Sequence, residues 1–341
     1  MRHTYLGYRV VQWVSQQLPP AVAFRWGDFI ADVQWRCSRR HRAAVQANLS
    51  VATGTPQPWH SRLTREVFRN FSRYLIEFFT IHQVAHPLVA CQGLEHVRSA
   101  HQRGRGVILL SAHLGNWEVG GILLQRMGFP VTAVVLPHED PRMDRLFNAQ
   151  RRRNGIDVIP LGSHATSQSI RALRAGKLLG LLGDQDFTDK GVKVLFCGAP
   201  VILPRGPAIL SVRSQAPVVP TFLIREGPWR FRLCCEAAIW PARDQKPAEA
   251  VQALTHAYAT VLGRYVRQYP EQWPIFRSVF TAQASPPHQD ATGVSPWRNS
   301  VETRRAFKEA TPRTPNLWCG GSPSTRSGQE LPTARSLVDA R

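Results

Sequence analysis

The sequence predicts an α/β fold, with a mostly parallel central sheet flanked by helices on both faces and an N-terminal interfacial helical segment. From residue 106 onward, short apolar runs bounded by Gly, Pro or polar residues alternate with helical patterns, which is typical of parallel strands joined by helices. Between residues 41 and 82 apolar residues recur at spacings of three and four, which is typical of helices. The length of 341 residues and the apolar content of 43% allow a sizeable core.

Residues 1–40 form the predicted N-terminal segment, which is apolar and aromatic but interrupted by charges and divided by Pro19-Pro20. No stretch offers the roughly 20 apolar residues that a membrane span requires, and the apolar runs are short for a signal peptide. We therefore predict two short amphipathic helices. They either lie in a membrane interface, with tryptophans such as Trp13 at headgroup depth, or cap the core.

Residues 41–285 form the predicted main domain, which begins with helical patterns over 41–49 and 61–79. Strands are predicted at 106–112, 131–136, 156–161, 178–183, 192–196, 216–224 and 230–237, and helices at 116–127, 142–153, 164–175, 206–215 and 247–267. Residues 286–341 are rich in Ser, Pro, Thr, Gly and Arg and carry few apolar clusters. They cannot bury enough surface to offset the entropy of ordering, which predicts a disordered tail.

The net charge is +20, and 38 of the 43 basic residues are arginine. Such a surface suits anionic partners, namely phospholipid headgroups, phosphorylated substrates, acidic carrier proteins or nucleic acid, although a coding preference for arginine gives the same excess. The six cysteines form no C-x-x-C pair and two of them are adjacent, which argues against a zinc site or an ordinary disulfide framework. We therefore expect no bound metal, and reduced thiols on the cytoplasmic side of a membrane.

The stretch "SAHLGNWE", residues 111–118, carries the strongest chemical signal. On a continuous helix His113 and Glu118 would point about 140° apart, since each residue turns about 100°. A strand that ends at His113, a tight turn at Gly115 and a helix capped by Asn116 remove that problem. We expect this turn to fold the carboxylate of Glu118 back toward the imidazole, at the end of a strand where open α/β sheets build their sites.

An imidazole held by a carboxylate is a general base, because the carboxylate sets the tautomer and stabilises the imidazolium. The proton donor would be a hydroxyl that attacks an ester or thioester, and the resulting oxyanion would need a donor such as a backbone amide near Gly115 or an arginine. The sequence contains no G-x-S-x-G elbow, no H-E-x-x-H motif, no P-loop and no complete dinucleotide fingerprint. Direct transfer to the hydroxyl is therefore simpler than a covalent enzyme intermediate.

Several ordered blocks resemble one known family. They are "HRAAVQANL", "VFRNFSRYLIEFF", "SAHLGNWEVGG", "FNAQRRRNGIDVIP", the long block from "LLGDQDF" to "PVVPTFL", and "YPEQWPIF". Over roughly residues 1–280 they resemble the lauroyl/myristoyl acyltransferases of lipid A biosynthesis, a family that also includes phosphatidylinositol mannoside acyltransferases. The "SAHLGNWE" stretch matches its H-x-x-x-x-[DE] signature.

The resemblance implies that His113 is the catalytic base and Glu118 its partner. It also implies an arginine of "QRRRNG", either Arg151 or Arg153, and an aspartate of "GDQD", for which we favour Asp184 over Asp186. With Asn116, these arginines and Asp184 are our candidate substrate-binding residues. An arginine fork suits a phosphate, although the same residues could form a solvated helix end or an ion pair. In "LPRGPAIL", residues 208–210 either line an acyl pocket or pack in the core.

The resemblance further implies an acyl thioester on acyl carrier protein or coenzyme A as donor, a membrane lipid as acceptor and no cofactor. It places the protein on the cytoplasmic face of the inner membrane. A second phosphate-binding arginine motif is missing, so a glycolipid or lipid A precursor fits better than glycerol 3-phosphate. Two alternatives are a basic protein that binds anionic membranes or nucleic acid with a non-catalytic dyad, and an acyl-thioester hydrolase. No groove-reading element supports nucleic acid as a partner.

Overall fold

The computed structural model describes residues 2–58, 61–187 and 190–280. Within these residues there are ten α-helices. They span Arg2–Gln17 (α1), Pro20–Cys37 (α2), Arg39–Thr53 (α3), Arg62–Thr80 (α4), Leu94–Gln102 (α5), Trp117–Arg126 (α6), Pro141–Arg153 (α7), Ala165–Arg174 (α8), Gly206–Ser214 (α9) and Pro247–Gln268 (α10).

Nine strands lie in the same described part of the chain. They span Leu88–Gln92 (β1), Val107–Ser111 (β2), Val131–Val135 (β3), Asp157–Pro160 (β4), Leu178–Leu182 (β5), Val192–Phe196 (β6), Ala199–Leu203 (β7), Val218–Gly227 (β8) and Arg230–Cys235 (β9). Seven of them form one sheet in the order β1-β9-β8-β2-β5-β3-β4, and β6 pairs with β7 in a separate antiparallel hairpin. Every neighbouring pair of the main sheet is parallel except β8 and β9, so the predicted fold class is confirmed.

Two apolar cores cover the two faces of the sheet. Strand β2 shows why, because all five of its residues are buried and alternate residues of a strand point to opposite faces. Ile108 and Leu110 join a core with α8, α9, α10 and the β6–β7 hairpin. Val107 and Leu109 join a second core with α4, α5, α6 and α7. A strand that is apolar along its whole length is what a sheet covered on both faces requires.

Helices α1 and α2 confirm the two predicted N-terminal helices, and α2 packs closely on α4. Gly27 makes this approach possible, since a Cβ there would lie 2.5 Å from Ile76 Cδ1. Arg73 of α4 also donates hydrogen bonds of 2.8 and 2.7 Å to Asp28 of α2. The opposite side of the pair is exposed and apolar, and its large residues are Leu6, Val10, Trp13, Val22, Phe29, Ile30 and Val33. One side of this segment therefore caps the core while the other presents apolar side chains.

The predicted helices and strands of the main domain are all present, and three elements were not predicted. These are β1, α5 and β7. Strand β1 lies at the edge of the sheet with no buried residue. The predicted tail, and the domain boundary at residues 285/286, fall outside the described residues. In the described part of the chain, no helix combines the length and the apolar character that crossing a membrane would need.

The cysteines agree with the expectation at four positions. Cys37, Cys197, Cys234 and Cys235 are free thiols, and burial raises the pKa of Cys234 to about 11.

Candidate active site

The turn after β2 positions His113. The strand ends at Ser111 and α6 begins at Trp117, so the predicted strand, turn and helix are confirmed. Gly115 has φ +66, and a Cβ on it would lie 2.0 Å from the carbonyl oxygen of Leu223. Only glycine fits such a conformation at such close range. The side chain of Asn116 caps α6 by accepting a hydrogen bond of 3.1 Å from the amide of Val119, as predicted.

The backbone amides of this turn are all engaged inside the protein. The amide of His113 donates to the side chain of Asp184, and the amide of Leu114 donates to the carbonyl of Ala112. The amide of Gly115 donates to the carbonyl of Gln272 at 2.8 Å, and that of Asn116 to the carbonyl of Leu223 at 2.9 Å. The turn thus uses the amides of residues 113–116 for bonds within the protein, and through Gly115 and Asn116 it docks on β8 and on the segment after α10.

Asp184 is the carboxylate that contacts His113. Its Oδ1 lies 2.8 Å from His113 Nδ1, and its Oδ2 accepts the backbone amide of His113 at 2.9 Å. The parallel register explains this contact: Ser111 of β2 pairs with Leu182 of β5, so the residues two positions beyond each strand end meet. The side-chain amide of Gln185 lies 3.2 Å from the same ring nitrogen.

Asp184 is completely buried, yet it is held as a carboxylate. Trp273 Nε1 donates a third hydrogen bond to it, 2.9 Å from Oδ2. Burial by itself would raise the pKa of Asp184, but the neighbouring His113 and the hydrogen bonds from His113 and Trp273 outweigh it, so the pKa is lowered. An ionised carboxylate only accepts hydrogen bonds, so Nδ1 of His113 carries the hydrogen of this contact, and in a neutral ring the acceptor is then Nε2.

Glu118 contacts Arg151 instead of His113, which corrects the expected dyad. Arg151 Nε lies 3.0 and 3.2 Å from the two carboxylate oxygens, and Arg151 Nη1 donates to Asn148 Oδ1 at 2.6 Å. Burial would lower the pKa of Arg151, but the charge of Glu118 and its hydrogen bond raise it. Glu118, in the first turn of α6, faces α7, where Arg151 provides a permanent cation. The carboxylate that reaches the imidazole is Asp184, which follows β5.

Asn116 faces a buried polar network beneath the turn. Its Nδ2 donates to Glu77 Oε2 at 2.7 Å, and Glu77 forms an ion pair with Arg225 at 2.6 Å in which both side chains are almost fully buried. Gln272 joins by accepting the amide of Arg225 and donating to its carbonyl, each at 2.9 Å. Asn116 therefore braces the turn, and it is absent from the described residues that line the cavity.

A cavity of about 690 Å³ opens beside His113. Polar and charged side chains line one part of it, including His113, Glu118, Arg151, Gln185, Lys190 and Arg205. Buried apolar residues line another part, including Leu109, Leu124, Val131, Leu223 and Leu233. The exposed apolar residues Leu136, Leu161 and Phe187 also belong to the lining. The cavity can thus take a long apolar group at its inner side and a polar group at the imidazole.

The remaining predicted residues divide between this cavity and other places. Arg151 lines it, whereas Arg153 lines a second cavity between α1 and α7. Asp186 lines the first cavity and accepts the amide of Gly191 at 3.1 Å. Of residues 208–210, Ile209 and Leu210 line the cavity while Ala208 is fully buried in the core, so both alternatives for that stretch apply in part. Among the described residues, no group of three or more His, Cys, Asp or Glu is placed to hold a metal ion.

Several residues of the site were not predicted, among them Trp273, Gln185 and His138. Trp273 lay in the quoted block "YPEQWPIF", but nothing local connected it to Asp184, 89 residues earlier. Gln185 follows Asp184 directly and could have been found from that position. His138 lines the cavity just beyond β3, and first burial and then the charge of Arg151 lower its pKa. A histidine after a strand end was the available signal for it.

Known proteins resemble the chain over most of its length. The profile of the bacterial lipid A biosynthesis acyltransferase family matches residues 2–281. A phosphatidylinositol mannoside acyltransferase of Mycolicibacterium smegmatis is 27% identical over 83% of this chain and 93% of its own length. The Mycobacterium tuberculosis protein of that name is 31% identical over 63% of this chain and 69% of its own. The lipid A biosynthesis palmitoleoyltransferase of Escherichia coli is 24% identical over 79% and 88%.

The family match extends from α1 to the segment after α10 and so includes every element that builds the cavity, the His113–Asp184 pair and the Arg151–Glu118 pair. It covers far more than half of the chain. The chain is therefore an acyltransferase and belongs to the bacterial lipid A biosynthesis acyltransferase family.

Proposed function

We propose that the protein transfers a fatty acyl chain from an acyl thioester to a hydroxyl of a glycolipid or lipid A precursor, with His113 as general base. The observation that carries this proposal is the pair of His113 with the buried carboxylate of Asp184, at a cavity with both polar and apolar lining. The named activities of the relatives, on phosphatidylinositol mannoside and in lipid A biosynthesis, support a glycolipid acceptor.

In this proposal the acceptor hydroxyl gives its proton to Nε2 of His113 as its oxygen attacks the thioester carbonyl carbon. Asp184 stabilises the imidazolium that forms. When the tetrahedral intermediate collapses, the carbon–sulfur bond breaks and the imidazolium returns the proton to the leaving thiolate. Because the turn amides are engaged, oxyanion donors would come from side chains that line the cavity, such as Arg151 or Gln185. The acyl chain would occupy the apolar lining.

The donor is proposed to be acyl carrier protein or coenzyme A carrying the acyl chain, with no cofactor. Arg205 lines the cavity and is exposed, which suits the phosphate of a pantetheine arm. We further propose that the protein is peripheral on the cytoplasmic face of the inner membrane. Its exposed apolar residues on α1 and α2 support this, with Leu6 62% and Trp13 65% exposed. Apolar side chains beside tryptophan are typical of interfacial helices.

The test is transfer of a labelled acyl chain by the purified protein to a phosphatidylinositol mannoside or a lipid A precursor. His113→Ala should lower the transfer rate by a factor on the order of 10²–10⁴, the usual contribution of a general base. His256→Ala, which changes an exposed histidine of α10, is the matched control and should keep the wild-type rate. Wild-type transfer by His113→Ala would contradict the proposal. Release of free fatty acid at the same rate with and without acceptor would identify a hydrolase instead.

A further inference from the structure

A second cavity, which we call the arginine pocket, lies between α1 and α7. Its volume is about 320 Å³ and it shares no lining residue with the cavity at His113. Four of its lining residues are arginines, Arg9, Arg142, Arg145 and Arg153. The other described lining residues are Tyr5, Gln12, Leu146, Ala149 and Gln150, so no acidic side chain is among them. The lining therefore combines cations with amide and hydroxyl donors.

The four guanidinium groups are not neutralised to the same degree. Arg142 forms an ion pair with Asp140 at 2.6 Å and lies 4.8 Å from the centre of the Tyr5 ring. Arg9 donates to the neutral Gln12 at 2.8 Å. Arg145 and Arg153 are exposed, and no carboxylate of the described residues forms an ion pair with either. The pocket thus keeps an excess of positive charge that an anion would balance.

The arginine pocket borders the exposed apolar side of α1. Leu6 is 62% exposed and Trp13 is 65% exposed. Arg9 follows Leu6 by three positions and precedes Trp13 by four, and residues at these spacings are neighbours on a helix surface. An object that covers Leu6 and Trp13 would therefore reach Arg9 as well. A bilayer interface has the matching composition, with apolar chains below and phosphates at the depth that tryptophan prefers.

We propose that the arginine pocket binds the phosphate of an anionic phospholipid headgroup while the apolar side of α1 enters the bilayer interface. Arginine forks bind phosphate oxygens in pairs, and four arginines around one concave site offer more than diffuse attraction. An acidic carrier protein would satisfy the charges but would leave Leu6 and Trp13 uncovered. This inference rests on the proposed membrane association and adds a defined site and a lipid class to it.

The test compares two double variants that each remove two positive charges. One removes them from the arginine pocket, and the other removes them from the surface of α2. Arg9→Gln/Arg145→Gln empties the pocket of two cations. Arg25→Gln/Arg36→Gln removes two exposed arginines of α2 that lie beside Val22 and Val33 but do not line the pocket. Binding of the full chain is measured to vesicles of phosphatidylcholine with and without phosphatidylglycerol, at about 0.15 M salt. Circular dichroism and thermal melting establish that both variants fold.

Arg9→Gln/Arg145→Gln should weaken binding to phosphatidylglycerol vesicles about tenfold more than Arg25→Gln/Arg36→Gln, since it removes charge-assisted hydrogen bonds as well as charge. Neither variant should change binding to pure phosphatidylcholine, which depends on the apolar side chains. Equal losses in the two variants would show diffuse attraction and overturn the proposal. Loss of acyl carrier protein binding with vesicle binding intact would overturn it in favour of a protein partner.

Two further measurements complete the test. The first distinguishes a lipid phosphate from free phosphate, and the second distinguishes failure of this proposal from failure of the proposed acyl transfer. Inorganic phosphate, compared with chloride at equal ionic strength, should stabilise the wild-type protein less than phosphatidylglycerol vesicles do. An equal rise in Tm from inorganic phosphate, lost in Arg9→Gln/Arg145→Gln, would assign the pocket to free phosphate and overturn the lipid assignment. Vesicle binding is measured without acyl donor and repeated in His113→Ala, so its outcome does not depend on whether the protein performs the proposed transfer.

Discussion

Asp184 and Glu118 are two carboxylates of the candidate site, and they have different partners. Asp184 is fully buried and accepts hydrogen bonds from the ring and amide of His113 and from Trp273. The Glu118 side chain, 11% exposed, is paired with Arg151. A histidine changes its charge near neutral pH, whereas an arginine stays charged. Asp184 can therefore assist a proton transfer, while Glu118 fixes the position of a permanent cation. Because Glu118 is close to His113 in the sequence, it was predicted to contact the imidazole, but the carboxylate that makes this contact is Asp184.

The largest expected effect separates the two carboxylates by rate. Asp184→Asn keeps the shape of the side chain but turns the imidazole toward the wrong tautomer, so kcat should fall by a factor on the order of 10³–10⁴. Glu118→Gln leaves the imidazole pair intact and should lower kcat far less, by a factor on the order of 10. Steady-state acyl transfer by both variants measures this. If Glu118→Gln loses as much kcat as Asp184→Asn, the distinction between the two carboxylates fails.

The next effect is a difference in stability. Breaking the buried Arg225–Glu77 pair should cost more free energy of unfolding than breaking the Arg151–Glu118 pair. Glu77→Gln leaves the guanidinium of Arg225 without its counter-charge in a site where both side chains are nearly inaccessible. The free energy of unfolding should fall by about 3–5 kcal/mol. Glu118→Gln should cost about 1–3 kcal/mol, because its pair borders a cavity that admits water. Urea denaturation of both variants gives the two free energies of unfolding. A larger loss for Glu118→Gln would contradict the prediction that the Arg225–Glu77 pair contributes more to stability.

The smallest effect concerns the pH dependence of the imidazole pair. The hydrogen bond from Trp273 is one of the causes that lower the pKa of Asp184. Trp273→Phe removes that bond, so the pKa of Asp184 should rise and the His113–Asp184 pair should take up its proton at a higher pH. Loss of activity on the acid side should then begin at a higher pH than in the wild type, with kcat about tenfold lower at its plateau. The pH profile of kcat measures both.

Trp240→Phe is the control for that profile. Trp240 is 36% exposed and stacks with Arg103, and it does not line the cavity in the described part of the chain. Its pH profile should match that of the wild type. An acid limb that is unmoved in Trp273→Phe would show that the indole does not influence the ionisation of Asp184.

Local features of the fold and site could be predicted from the sequence, and features that depend on strand order could not. A short apolar run, Gly115 and Asn116 define the strand, turn and helix around His113 because each acts over a few residues. Asp184 was recognised at a strand end, but its contact with His113 requires β2 and β5 to be neighbours. That adjacency is set by packing across the whole sheet, with no signal in either stretch. The role of Trp273 was beyond reach for the same reason.

The hydrogen bond from Trp273 to Asp184 spans 89 residues of the chain, which has a consequence for biogenesis. Translation proceeds at about 5–20 residues per second, so several seconds separate the emergence of β5 from that of the indole. During this interval a nascent polypeptide on the ribosome holds Asp184 without its third donor, and Gly115 without the carbonyl of Gln272 that accepts its amide. The site is therefore finished at a late stage of synthesis, and a chain released before residue 273 contains His113 and Asp184 but not the indole that completes their pair.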